Sequence, residues 1–322
     1  MGVRLEDALT GDGQSSRALA AARSVGRFVA TLAGAALVVQ LLLALAPGDA
    51  ADLVTDDPAM REALLDHWGL DKPLLERWGL FLWNGLQGDL GTSLTYRPGE
   101  EVSALVGRAA GQSLKLLLGA VLLVTAAGVA LSYAGGRFTR KAVQLVSVAP
   151  AFLLAAGAVT VLNETAWEWM EAGRLDRPDW FALPLQDHPL RTALAISVLA
   201  LGSSALSEVV ASVSGELARI RSSPYVEAAR ARGAALWPHV LSNLLPPLTT
   251  VIASRTAFFL GGLVVVEKVL SINGAGAMLW QACRMRDLPL AMGITLVAAA
   301  VVAAVRLLGD IVRLGADPRL SA

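Results

Sequence analysis

Six stretches of apolar residues dominate the sequence, at 28–46, 113–134, 142–162, 193–213, 244–266 and 288–308. Each is close to the about 20 helical residues needed to cross the hydrocarbon core of a bilayer. A lone strand in lipid would leave its backbone groups unpaired, so helix is the conformation available to them. The sequence therefore predicts an all-α polytopic membrane protein with six transmembrane helices. Composition excludes an ordinary soluble globule. Of 322 residues, 55% are hydrophobic and 17% charged, against about 25% charged in soluble domains. Lys+Arg and Asp+Glu number 27 each, so no cationic excess exists to hold nucleic acid. The single cysteine, Cys283, excludes an intrachain disulfide or a Cys-rich zinc site.

The first stretch is longer than the apolar region of a signal peptide and is followed by Pro47, which predicts a retained span. The third carries Pro150 in its middle, where a kink is expected. The fourth is Ser- and Gly-rich and holds Glu208, and the fifth holds Arg255 and the Gly261-Gly262 pair suited to close packing.

Sidedness follows from the cations. With the N-terminus inside, 14 Lys and Arg fall in or beside inner segments and 11 in the outer connections, which are much longer. The predicted organisation is a flexible cytoplasmic tail at 1–27 and a first span with an extracytoplasmic amphipathic segment at 28–110. A transmembrane core at 111–310 contains a cytoplasmic loop at 215–245, and a cytoplasmic tail closes the chain at 311–322. The long outer connection reads as two short amphipathic helices, with Trp68, Trp78 and Trp83 as interfacial anchors. The second outer connection, 163–190, reads similarly through Trp167, Trp169 and Trp180.

The inner loop is the most informative connection. Pro224 follows Ser222-Ser223, a helix-start signal, and the good helix formers of 225–232 run to Gly233, a natural stop. A second helical stretch from about Ala234 runs to Pro246-Pro247, where the fifth span is expected to begin. Physics alone leaves two readings of this short helix, a handle for a soluble partner or an ordinary interfacial helix.

At these residues the sequence resembles the membrane subunits of ATP-binding-cassette (ABC) importers, whose mark is a cytoplasmic E-A-A-x-x-x-G loop followed by a proline. Here it is Glu227-Ala228-Ala229, then Gly233, then Pro246. Further segments resemble the dipeptide/oligopeptide/nickel permeases, in the subunit with a long first periplasmic connection. They are APGD (46–49), GLDKPLLERW (69–78), GDLGTSL (88–94), VVVEKVLSINGAG (264–276), RDLPLAMG (286–293) and DPRL (317–320). The chain departs from that pattern in a coupling loop about one helical turn short, and in Ile272–Gly276, where a tryptophan-bearing turn is common.

The resemblance implies a type I ABC importer permease fold forming half of a pathway for peptides or a similar small solute, nickel or a metal chelate among them. Implied partners are a second, homologous permease subunit, two cytoplasmic ATPase subunits and an extracytoplasmic solute-binding protein, in a bacterial or archaeal inner membrane. Tyr225, Glu227, Ala228, Ala229, Gly233 and Pro246 would form the ATPase-coupling loop. Ala228 and Ala229 permit close packing, Gly233 permits a sharp turn, and Glu227 stabilises the helix start or pairs with a basic partner.

No catalytic constellation is present. His67, His188 and His239 lie on separate segments, so no metal site is expected, and no phosphate-binding glycine loop exists. The chain is expected to bind no cofactor itself, with ATP used by the partner subunits. Glu208 and Arg255 are each expensive within a bilayer, and they are expected to pair or to line a pathway. Two other classes compete. A secondary transporter would show inverted repeats, and a membrane scaffold would explain the composition but not the loop spacing.

Overall fold

A computed structural model describes residues 3–45, 48, 50–134, 136–173, 189–234 and 237–316. Among them all regular structure is helical, apart from one antiparallel bridge between Thr92 and Glu101. The chain order begins with α1 (Val3–Leu45), a short 3-10 turn (Ala51–Leu53), α2 (Pro58–His67), α3 (Leu74–Leu86) and α4 (Val102–Ala134). It continues with α5 (Arg137–Val146), α6 (Ala151–Glu171), α7 (Pro189–Leu201) and α8 (Ala205–Arg221). The last elements are α9 (Pro224–Ala231), α10 (Trp237–Val269), α11 (Ala275–Arg284) and α12 (Leu288–Ala316).

Among the described residues four single helices are long and apolar enough to cross a membrane, at Ala22–Leu42, Val102–Ala134, Asn243–Val269 and Leu288–Val312. Two bent pairs, α5 with α6 and α7 with α8, complete six crossings if each pair is one span. Several expectations change here. The segment expected as a flexible tail is helical from Val3, because the Leu-, Ala- and Arg-rich run ahead of the span favours helix. Pro150 does not kink a third span at its middle. It sits at the N-cap of α6, and α5 meets α6 at 88°. Proline fixes its own φ and lacks an N–H, so it is at home where a helix starts. The fourth span is broken between Leu201 and Ala205, with a 57° bend and Ser204 at φ 55°.

The fifth span begins at Asn243, close to where it was expected, but the helical stretch ahead of it runs into it without a break. Pro246 and Pro247 lie inside α10 rather than at its beginning. Packed neighbours hold a proline-containing membrane helix together, and both α8 and α12 pack on α10. Gly262 meets Leu199 of α7, whereas Gly261 faces open space.

The main apolar core joins α4, α7, α8 and α10 around Leu116, Val198, Leu199, Val209, Val213, Phe259 and Leu263. α1 lies against α12, tied by the Ser24 hydroxyl and Arg27 guanidinium, which both donate to Asp310. α2 and α3 are the two short helices expected in the long outer connection. Trp78 is not a free interfacial anchor, since its indole N–H donates to the Ala33 carbonyl of α1 at 3.0 Å. Trp83 stays exposed. Trp167 and Trp169 ride on the last turns of α6, exposed, while Trp180 falls outside the described residues.

Candidate functional site

α9 is built by punctuation. Ser223 is extended and precedes Pro224 in the first turn, but its hydroxyl donates back to the Ile220 carbonyl instead of capping the new helix. The chain thus leaves α8 and starts α9 within two residues. At the far end Gly233 adopts φ +66°. Its N–H reaches the Arg230 carbonyl at 3.0 Å, and the Ala234 N–H reaches the Ala229 carbonyl at 3.0 Å. This closes the helix in the left-handed manner that favours glycine. A Cβ at Gly233 would meet nothing within 4 Å, so backbone conformation rather than space selects the residue.

The eight residues of α9 divide into two faces. Val226 and Ala229 are buried, at 2% exposure each, and α9 packs on α8. Tyr225, Glu227 and Ala228 are exposed. Of the two alanines expected to pack closely, only Ala229 does so within the chain. The Tyr225 hydroxyl accepts from the Asn243 side chain at 3.1 Å, which ties α9 to α10 three residues ahead of Pro246. Tyr225, Glu227, Ala228, Ala229 and Gly233 thus form one short element, and Pro246 belongs to the span behind it.

Glu208 and Arg255 are brought together. Glu208 stands in the first turn of α8, just past the break, and ion-pairs with Arg255 of α10. The Arg255 guanidinium also lies 4.9 Å from the centroid of the Phe258 ring. Two charges that would each be costly alone in lipid answer one another between packed helices.

At the other end of α10 two fully buried carboxylates, Asp287 and Glu267, tie distant segments together. Asp287 is fully buried. One of its oxygens accepts from the Ser93 hydroxyl at 2.5 Å and from the backbone N–H groups of Leu94, Thr95 and Tyr96 at 3.0–3.1 Å. The other accepts from the Leu290 N–H at 3.2 Å and so caps α12. Glu267, also fully buried near the end of α10, accepts from the Ser113 hydroxyl of α4 at 2.5 Å and from the Ala277 N–H of α11 at 2.9 Å. Ser113 in turn accepts from the Ala275 N–H. Each carboxylate fastens the start of one helix to a distant segment.

A family model described as a binding-protein-dependent transport system inner membrane component matches residues 115–322. The chain belongs to this permease family. It is 31% identical, over 88% of its length and 93% of the relative's, to a putative peptide permease protein of Brucella ovis. Identity is 28% to the di/tripeptide transport system permease protein DppB of Pseudomonas aeruginosa, over 93% of this chain and 97% of that one. It is 26% to the glutathione transport system permease protein GsiC of Escherichia coli, over 81% of this chain and 85% of that one. The protein is thus an ABC importer permease subunit of the peptide family, a multi-pass transport subunit of the inner membrane.

Within this permease, Asp287 and Glu267 are the residues that sequence reasoning passed over. Both stand in segments quoted for the resemblance, RDLPLAMG and VVVEKVLSINGAG, and Ser93 stands in GDLGTSL. An acid amid apolar residues beside an S-I-N-G or L-P turn was the available signal.

Proposed function

We propose that this permease forms half of a solute pathway for peptides or a chemically similar small solute, and that α9 transmits force to it from a cytoplasmic ATPase. Both termini face the cytoplasm in this reading. A second permease subunit supplies the other half of the pathway, two ATPase subunits supply the energy, and an extracytoplasmic binding protein delivers the solute. The observation that carries the reading is the two-faced α9, with Val226 and Ala229 seated on the protein while Tyr225, Glu227 and Ala228 point away. A stub fixed at both ends and tied to α8 and α10 can be displaced only as a body. ATP-driven closure of the ATPases would then rock the attached spans, a rigid-body change of access. The solute class is suggested by the relatives, whose names specify peptides, di- and tripeptides and glutathione.

The test is co-purification from native membranes followed by transport in vesicles. The reading expects a second permease and two ATPase subunits to copurify, and ATP-dependent accumulation of a small peptide when binding protein is added. Isolation of the chain without any ATPase, or peptide accumulation driven by an ion gradient alone, would overturn it.

A further inference from the structure

A cavity of about 490 Å³ opens at the end of the molecule that carries Asp287 and Glu267, between the start of α4, the end of α10 and α11. Its size lies in the range of small-molecule sites. Arg97, Arg108 and Lys268 line it, with the side-chain amides of Asn273 and Gln281 beside them, and Glu267 lies at its wall.

The charge in this cavity is not balanced. Arg97 and Arg108 share a single carboxylate, that of Glu100, with Arg97 at 3.3 Å and Arg108 in a shorter contact. Hydrogen bonding from Arg108 above all holds the Glu100 carboxyl below the usual carboxylate range, so it is ionised at neutral pH and still answers only one of two guanidinium groups. Glu267 is directed to Ser113 and to the start of α11. The Lys268 ammonium has no hydrogen-bond or ion-pair partner among the described residues. Counting Glu267 at the wall, three cations meet two carboxylates, so one cationic charge and two amides face an open volume without a matching anion. Guanidinium and ammonium groups in such a set suit a carboxylate, the guanidinium through paired N–H donors.

We infer that this cavity is a carboxylate subsite of the permease, where the free carboxylate of the transported solute is held at the outer mouth of the pathway. The inference rests on the importer reading above for the direction of transport and for the solute being peptide-like. Arg97, the less tightly paired of the two arginines, and Lys268 grip the carboxylate, Asn273 and Gln281 hydrogen-bond the adjoining amide, and the apolar wall accepts the side chain.

The test uses trialanine and its C-terminal amide as probes, with Lys268→Gln and Arg97→Gln variants in the full transport complex. Either variant should lower trialanine uptake at sub-saturating concentration about tenfold, the loss of one charge-assisted contact. Uptake of the amide should be the same in variant and wild type, as should the amount of protein in the membrane. Equal losses for both peptides, or no loss for either, would overturn the subsite, the former marking a structural role or a dock for the binding protein. A second measurement is independent of transport. Trinitrobenzenesulfonate labelling of Lys268 in the purified full chain should be slowed by N-acetyl-trialanine, which has no amine to consume the reagent, and not by N-acetyl-trialanine amide. If wild type imports neither peptide yet N-acetyl-trialanine protects Lys268, the peptide-importer reading fails and the cavity stands. Identical labelling with both peptides overturns the cavity even where import is normal.

Discussion

Asp287 shows what a single buried charge does in this permease. Its carboxylate stands where three successive backbone N–H groups, of Leu94, Thr95 and Tyr96, converge. In Asp287→Ala those donors stay buried without an acceptor, and α12 loses its cap. A cost of about 3–5 kcal/mol is expected from comparable losses. Purified Asp287→Ala should melt well below wild type, and Asp287→Asn, which keeps one acceptor, should lie between. A melting temperature for the alanine variant within about 1 °C of wild type would contradict this assignment. The sequence displayed both members of the contact without joining them. Ser93 and Asp287 are 194 residues apart, and neither hydropathy nor spacing carries that distance. Glu267 was hidden for a related reason, since its partners Ser113 and Ala277 lie on separate helices. Gly233 was legible, because its requirement is local backbone geometry.

At the scale of elements, apolar length predicted where the crossings are and failed to predict which are broken. A hydropathy window adds up residues and has no direction, so 142–162 looked continuous although the chain turns by 88° before Ala151. The α7–α8 break has a packing cause. Gly202 abuts the start of α6, and a Cβ there would lie 2.4 Å from the Ala151 Cα. Gly202→Ala must push α6 away from α7, and overpacking of this kind costs about 1–3 kcal/mol. Thermal unfolding should show that loss for Gly202→Ala, with Ala151→Gly failing to restore it because the clash is with backbone. An unchanged melting temperature would mean that the two helices do not approach so closely. The short helix α9, by contrast, was legible in full, since Pro224 and Gly233 punctuate it locally. Its division into a buried Ala229 and an exposed Ala228 was not, because eight residues give too few turns to fix a face.

For the whole molecule, the Glu208–Arg255 pair joins the broken span to the long central helix. Removing one partner strands a charge between membrane helices, whereas removing both leaves polar-free packing. Glu208→Ala and Arg255→Ala should each reduce the level of folded permease in the membrane, and the double variant should recover part of the loss. Additive losses would point instead to separate roles along the pathway. The same scale explains the neutral net charge. Of the 27 acids, 19 stand in the connections that follow the first, third and fifth apolar stretches of the sequence. In the proposed orientation the more cationic end, which holds α5 and α9, meets the ATPases. The central claim, that α9 carries force from them to the spans, is tested most directly by the ratio of solute imported to ATP hydrolysed in reconstituted vesicles. Glu227→Lys, or Gly233 replaced by a bulky residue, should leave the permease in the membrane and ATP hydrolysis running while import collapses. Normal coupled uptake with either variant would contradict the claim.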